Sequence, residues 1–160
     1  RAARENPRLE LVTLDVTASL AGLAEGRTEA ATPSAYLDDP SISLVVSANV
    51  LSQLPIVPNE YLEERFGQGD AAGEELGRKL IRAHLDYLAA FPCPAALVTD
   101  EARIVRDGSG NETATVSALH EVALPDGGES WNWEICPLGE IDRHHSVTHR
   151  VRGYVDLRKM

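Results

Sequence analysis

Side chains able to do chemistry gather in this chain where short apolar runs turn polar. Leu9 to Asp15 (LELVTLD) ends in Asp15, with Thr17 just beyond. Ser43 to Asn49 (SLVVSAN) carries Ser47 and Asn49 and is followed by Ser52 and Gln53. Ala95 to Thr99 (AALVT) runs into Asp100 and Glu101. Hydroxyls, carboxamides and carboxylates bind polar ligands by hydrogen bonds, and a carboxylate within reach of a hydroxyl or a protonated amine can act as a general base. Asp100 is the candidate base. No GxSxG, HExxH, Walker A or Ser-x-x-Lys pattern occurs, so hydrolases of the familiar kinds have no motif here.

His144, His145 and His149, with Cys136 nearby, raise metal binding. On a strand His145 and His149 share a face but stand about 13 Å apart, too far for one ion. A polar hairpin is the expected reading, with no metal. Trp131 and Trp133 share one face of their strand, as an aromatic platform for a substrate or as a pair covering core or edge. Cys93 and Cys136 form no CxxC and are expected to be free thiols in a reducing compartment.

The elements that must position these groups follow from the apolar pattern. Arg1 to Glu5 reads as the last turn of a helix, stopped by Asn6 and Pro7. Strands are expected at Leu9 to Asp15, Ser43 to Asn49, Ala95 to Thr99, Trp131 to Cys136 and Ser146 to Leu157. Leu44, Val45 and Val46 are consecutive, as in a parallel strand buried on both faces. Short helices are expected near Ser19 to Ala24 and Asn59 to Phe66. Asp70 caps a longer helix to about Ala90, whose stripe of Leu76, Leu80, Ala83 and Tyr87 lies on a sheet. Glu112 to Val122 is read as a helix. The last two strands pair as an antiparallel hairpin. Strands alternating with helices predict an α/β fold with a mostly parallel sheet, in which ligands bind beyond the carboxyl ends of the parallel strands.

Leu9 to Asp15, then SLVVSANVLSQLP at Ser43 to Pro55, the capped helix, AALVTD and the final hairpin resemble the carboxyl-terminal part, strands 3 to 7, of a class I S-adenosylmethionine-dependent methyltransferase. The resemblance implies a Rossmann-like three-layer sandwich with strand order 3-2-1-4-5-7-6, strand 7 antiparallel. It implies S-adenosylmethionine as cofactor, with Asp15 near the adenine and Ser47 and Asn49 facing the methyl donor. Gln53 would lie on the rim and Asp100 on the substrate side, as base; Glu101, from its strand-end position, and Trp133, as an aromatic platform, are candidate substrate-side residues beside them. The family's glycine-rich loop after strand 1 and the acidic residue ending strand 2 are not in this chain. The only comparably spaced glycines, Gly67 with Gly69 and Gly108 with Gly110, follow no suitable strand-to-helix step. On this reading the 160 residues are one α/β domain, incomplete at the amino terminus. The lone Met at position 160 agrees with a fragment. Without strands 1 and 2, Leu9 to Asp15 would lose its neighbour and Ser43 to Asn49 would present a bare edge.

Composition narrows the partners. The chain is 43% hydrophobic and 25% charged, which suits a globular domain. Asp plus Glu number 25 against 15 Lys plus Arg, a net charge of −10. Such acidity argues against nucleic acid and anionic membranes, and no apolar run reaches the roughly 20 residues of a membrane span. A cytoplasmic transferase acting on a small molecule or a protein side chain is expected. The alternatives are a methyltransferase-like binding module without catalysis and another α/β nucleotide-binding domain.

Overall fold

The computed structural model describes residues 8–158. The expected helix end at Arg1 to Glu5 lies outside them. In chain order the elements are α1 (Leu20–Leu23), β1 (Val45–Ala48), a 3-10 turn (Leu51–Gln53), α2 (Ile56–Phe66), α3 (Asp70–Ala90), β2 (Ala95–Asp107), β3 (Glu112–Ser117), β4 (Glu129–Cys136) and β5 (His145–Tyr154). The class is α/β, as the alternation of apolar patterns predicts.

α3 forms where its stripe requires. Leu76, Leu80, Ile81, Tyr87 and Leu88 are buried, and Pro92 follows the helix end at Ala90. Asp70 is the first helical residue, one position inside the cap at Gly69, where its carboxylate faces the positive end of the helix dipole. α2 starts three residues earlier than expected. Pro58 sits in its first turn, where a missing N–H breaks no helical bond. It ends at Gly67, which adopts φ 66° and turns its N–H back to the Glu63 carbonyl.

The sheet order is β1-β2-β5-β4, with β3 also paired to β2. Only β1 and β2 are parallel neighbours; β2–β3, β2–β5 and β4–β5 are antiparallel. The sheet is therefore mixed and not mostly parallel, because β2 runs on beyond Thr99 to Asp107 and recruits two antiparallel partners. The hairpin of β4 and β5 forms as expected, with β5 between β2 and β4.

Two expected elements are absent. Leu9 to Asp15 is not a strand; Leu9, Leu11, Val12 and Leu14 are exposed and pair with nothing described, and a strand without a neighbour leaves its backbone groups unpaired. Glu112 to Val122 is not a helix. Thr113, Thr115 and Val116 favour extended backbone, and residues 112–117 pair along β2. The second edge of β1 meets no strand among the described residues.

The buried helix residues Leu62, Leu76, Leu80 and Leu88 share one core with Ala95, Leu97 and Tyr154. Ser47 joins that side, because its partner His84 is on α3. On the other face of β1 Val46 is 60% exposed. This arrangement is not a clear three-layer sandwich.

Candidate functional site

The parallel pair ends at Ala48, which lies beside Val98. Beyond it Asn49 donates its N–H to the Val98 carbonyl (2.8 Å) and takes φ 55°, a left-handed conformation that Asn tolerates. That bend delivers the 3-10 turn and the start of α2 above β2. Between them lies an open cleft of about 360 Å³, lined by Ser52, Gln53, Ile56, Asp100, Arg103 and His149, with His120 on its wall. Its place, at the carboxyl end of β1, is where α/β sheets bind ligands.

The register explains which groups meet. Arg103 of β2 and Trp133 of β4 both stand directly across from His149, so the three side chains share one face of the sheet. Asp100 is diagonal to His149 on that face. His149 Nδ1 lies 3.2 Å from Asp100 Oδ2, and both side chains are largely buried. A carboxylate at Nδ1 orients an imidazole and leaves Nε2 for a ligand. Arg103 makes no ion pair among the described residues, and Ser52 Oγ is buried without a hydrogen-bond partner. His120 is held from outside the cleft. Its Nδ1 is 2.9 Å from Glu74 Oε2, and its ring lies so close to Gly77 that a Cβ there would be 2.6 Å away.

The expected site residues divide. Asp100 and Gln53 line the cleft; Trp133 and Asn49 do not, Trp133 standing across from His149 and Asn49 just after β1. Glu101 is not with them. The register of β2 against β5 shifts between Asp100 and Ala102, and Glu101 reaches Arg152, whose Nη2 is 3.0 Å and 3.2 Å from its two oxygens. Ser47 is buried with its Oγ 3.0 Å from His84 Nε2. Burial pushes the His84 pKa below its ordinary value, against the backbone at Val16, which favours the charged ring. Asp15 serves the start of α1. Its Oδ1 accepts from the Thr17 N–H (2.9 Å) and hydroxyl (2.6 Å), and its Oδ2 from the Leu20 N–H (3.1 Å). Burial works to raise its pKa, but these bonds outweigh it and hold the carboxyl below its usual value.

His149, raised from the sequence only as a metal ligand, and Arg103 are cleft residues, as are His120, which the sequence pattern does not single out, and Ser52, which stands beside Gln53 at the strand end. Only the strand register reveals the first two. His145 turns instead to Asp142, with Nδ1 2.9 Å from Oδ2. Among the described residues no three His, Cys, Asp or Glu side chains are grouped to hold a metal ion. No helix among them is long and apolar enough to cross a membrane.

These positions bear on S-adenosylmethionine. Of the three residues that the resemblance assigns to it, Asp15 and Ser47 already spend their polar atoms on internal bonds, and Asn49 alone is exposed. Asp15 and Ser47, as folded, do not fit the role of cofactor ligands. No protein-family model, curated protein or solved structure matches the chain.

Proposed function

We propose that the chain is the carboxyl-terminal part of a class I S-adenosylmethionine-dependent methyltransferase domain and carries the acceptor side of its site. One observation supports this reading above the others. The order β1-β2-β5-β4, with the last strand inserted antiparallel between two earlier ones, corresponds to 4-5-7-6 in the order 3-2-1-4-5-7-6. The β3 ribbon is an addition to that order. The free edge of β1 stands where strand 1 would pair, and a mostly parallel three-layer sandwich belongs to the complete domain.

When bound, the cofactor would supply a methyl group on a sulfonium. This chain would hold the acceptor beneath Gln53, and the Asp100–His149 pair would take the proton of a hydroxyl or amine. The commitment of Asp15 and Ser47 to internal bonds favours a second reading, a methyltransferase-like binding module without catalysis.

Calorimetric titration of S-adenosylhomocysteine into the protein, with any sequence preceding Arg1 included, tests the first reading. Micromolar binding weakened by Asn49→Ala is the expected result. A folded, monodisperse protein that binds none would remove it.

A further inference from the structure

Trp133, His149 and Arg103 stand in one cross-strand row on neighbouring strands, and Asp100 adjoins the row beside His149. Each has a feature that internal packing leaves unused. Trp133 is 52% exposed, offering a flat indole face. Arg103 is exposed, with no ion pair among the described residues, and a guanidinium binds a carboxylate by two parallel hydrogen bonds. His149 has its Nδ1 against Asp100 and its Nε2 unassigned. Ile56 and Val116, both exposed hydrophobics, give the cleft apolar flanks. A volume of about 360 Å³ falls within the range of small-molecule sites.

The geometry points to a hydroxylated aromatic acid as the ligand of this cleft. Its carboxylate meets Arg103, its ring lies between Arg103 and His149 against Ile56 and Val116, and its hydroxyl reaches His149, with the indole of Trp133 on the far side of that histidine. The phenolic O–H bond breaks and an N–H bond forms on the imidazole, giving a phenolate and an imidazolium held by the Asp100 carboxylate. Total charge is unchanged and no further reactant is needed. The charged and titratable groups facing His149 are Asp100 and Arg103 from β2 and His120 from the segment after β3. What happens to the phenolate next rests on the proposed methyltransferase, but binding and ionisation need no cofactor.

The probe is 4-hydroxy-3-nitrobenzoate, whose phenolate absorbs visible light and whose nitro group quenches indole fluorescence. The chain has two tryptophans, both on β4. Titration below the probe's own pKa is expected to give saturable quenching together with a rise in the phenolate band. Trp133→Leu abolishes most of the quenching. Arg103→Met weakens binding about tenfold or more, the loss of a charge-assisted contact. His149→Gln still binds, without the rise, and Asp100→Asn reduces it. Saturable binding with no absorbance change in the unaltered protein overturns the proposal. So does binding indifferent to both Trp133→Leu and Arg103→Met, or no binding by protein with an intact thermal transition. S-adenosylhomocysteine titrated into the same sample separates the two readings. If it binds and the probe does not, the aromatic acid falls and the methyltransferase stands. If the probe binds and it does not, the methyltransferase reading falls and the ligand class of the cleft stands.

Discussion

Asp100 and Glu101, adjacent in sequence, make unrelated contacts across the β2–β5 pair: Asp100 meets His149 and Glu101 meets Arg152. The irregular register between Asp100 and Ala102 separates them. A bulge is a common means of re-aiming one side chain, and here it places one carboxylate in the cleft and the other in an ion pair. Arg152 also donates to the Gly127 carbonyl (2.9 Å), so Glu101 helps to hold the turn before β4. Glu101→Gln is expected to lower stability by about 1 kcal/mol, a fall of roughly 2–4 °C in Tm for a domain of this size. Asp100→Asn removes the charge from a largely buried pair and is expected to cost about 1 kcal/mol as well, but unlike Glu101→Gln it weakens the ionisation of a cleft ligand. Thermal melts of the two variants with the probe titration decide it; the opposite pattern would assign the cleft to Glu101.

The Ser47–His84 contact predicts a pH dependence. Burial disfavours the charged form of His84, so its pKa in the fold lies below the ordinary value. The unfolded chain protonates it as pH falls through about 6.5. A depressed folded pKa means that the unfolded state binds the extra proton, so stability from this group declines as pH falls below that value and is constant above it. Urea midpoints of the unaltered protein and of His84→Gln, followed from pH 7.5 to 5, should converge toward acid. Parallel curves would show that His84 is not the group. Ser47→Ala at pH 7.5 should cost about 1–3 kcal/mol, because it strands a buried ring nitrogen.

What was legible in the sequence depended on whether the deciding contact was local. The α3 stripe and the Pro92 stop are local, and the helix is where they put it. β1 and the β4–β5 hairpin were legible for the same reason. Leu9 to Asp15 has the composition of a strand, but a strand needs a neighbour, and none is described there. β2 beyond Thr99 is rich in charge, and its continuation depends on β3 and β5 accepting its backbone. Thr113, Thr115 and Val116 already favoured a strand over the helix expected there. Asp100 and Gln53 were legible as strand-end residues. His149 was not, since its meaning lies in standing one strand from Asp100, a fact of register and not of spacing.

Two glycines test close packing, one beside the start of β4 and one beneath His120. Gly128 adopts φ +70°, and a Cβ there would stand 2.7 Å from the Gly153 carbonyl oxygen and from the Tyr154 ring. Gly128→Ala therefore combines left-handed strain with a clash against backbone, and should cost about 2–4 kcal/mol. Gly77→Ala meets the His120 ring at 2.6 Å. It gains about 1 kcal/mol of helix propensity, which offsets part of the clash, for a net loss near 1 kcal/mol. Denaturant midpoints should rank Gly128→Ala well below Gly77→Ala. Equal losses would show that the β4–β5 approach is looser than these contacts require.

Asp15 separates a structural role from a ligand-binding one. Both of its oxygens accept bonds from the turn that starts α1, and with Thr17 and Ser19 buried beside it the carboxylate acts as a helix-start acceptor. Asp15→Ala should cost about 1 kcal/mol, and amide exchange at Leu20 and Leu23 should quicken. Its folded pKa lies below the ordinary 3.8, so its contribution is present above that value and is lost as pH falls through the lowered one. Asp15→Asn keeps an oxygen for the Thr17 N–H and should recover part of the loss. If Asp15 only holds α1, S-adenosylhomocysteine affinity in Asp15→Asn should match the unaltered protein. A variant of full stability with weakened binding would instead mean that the carboxylate leaves Thr17 for the ligand.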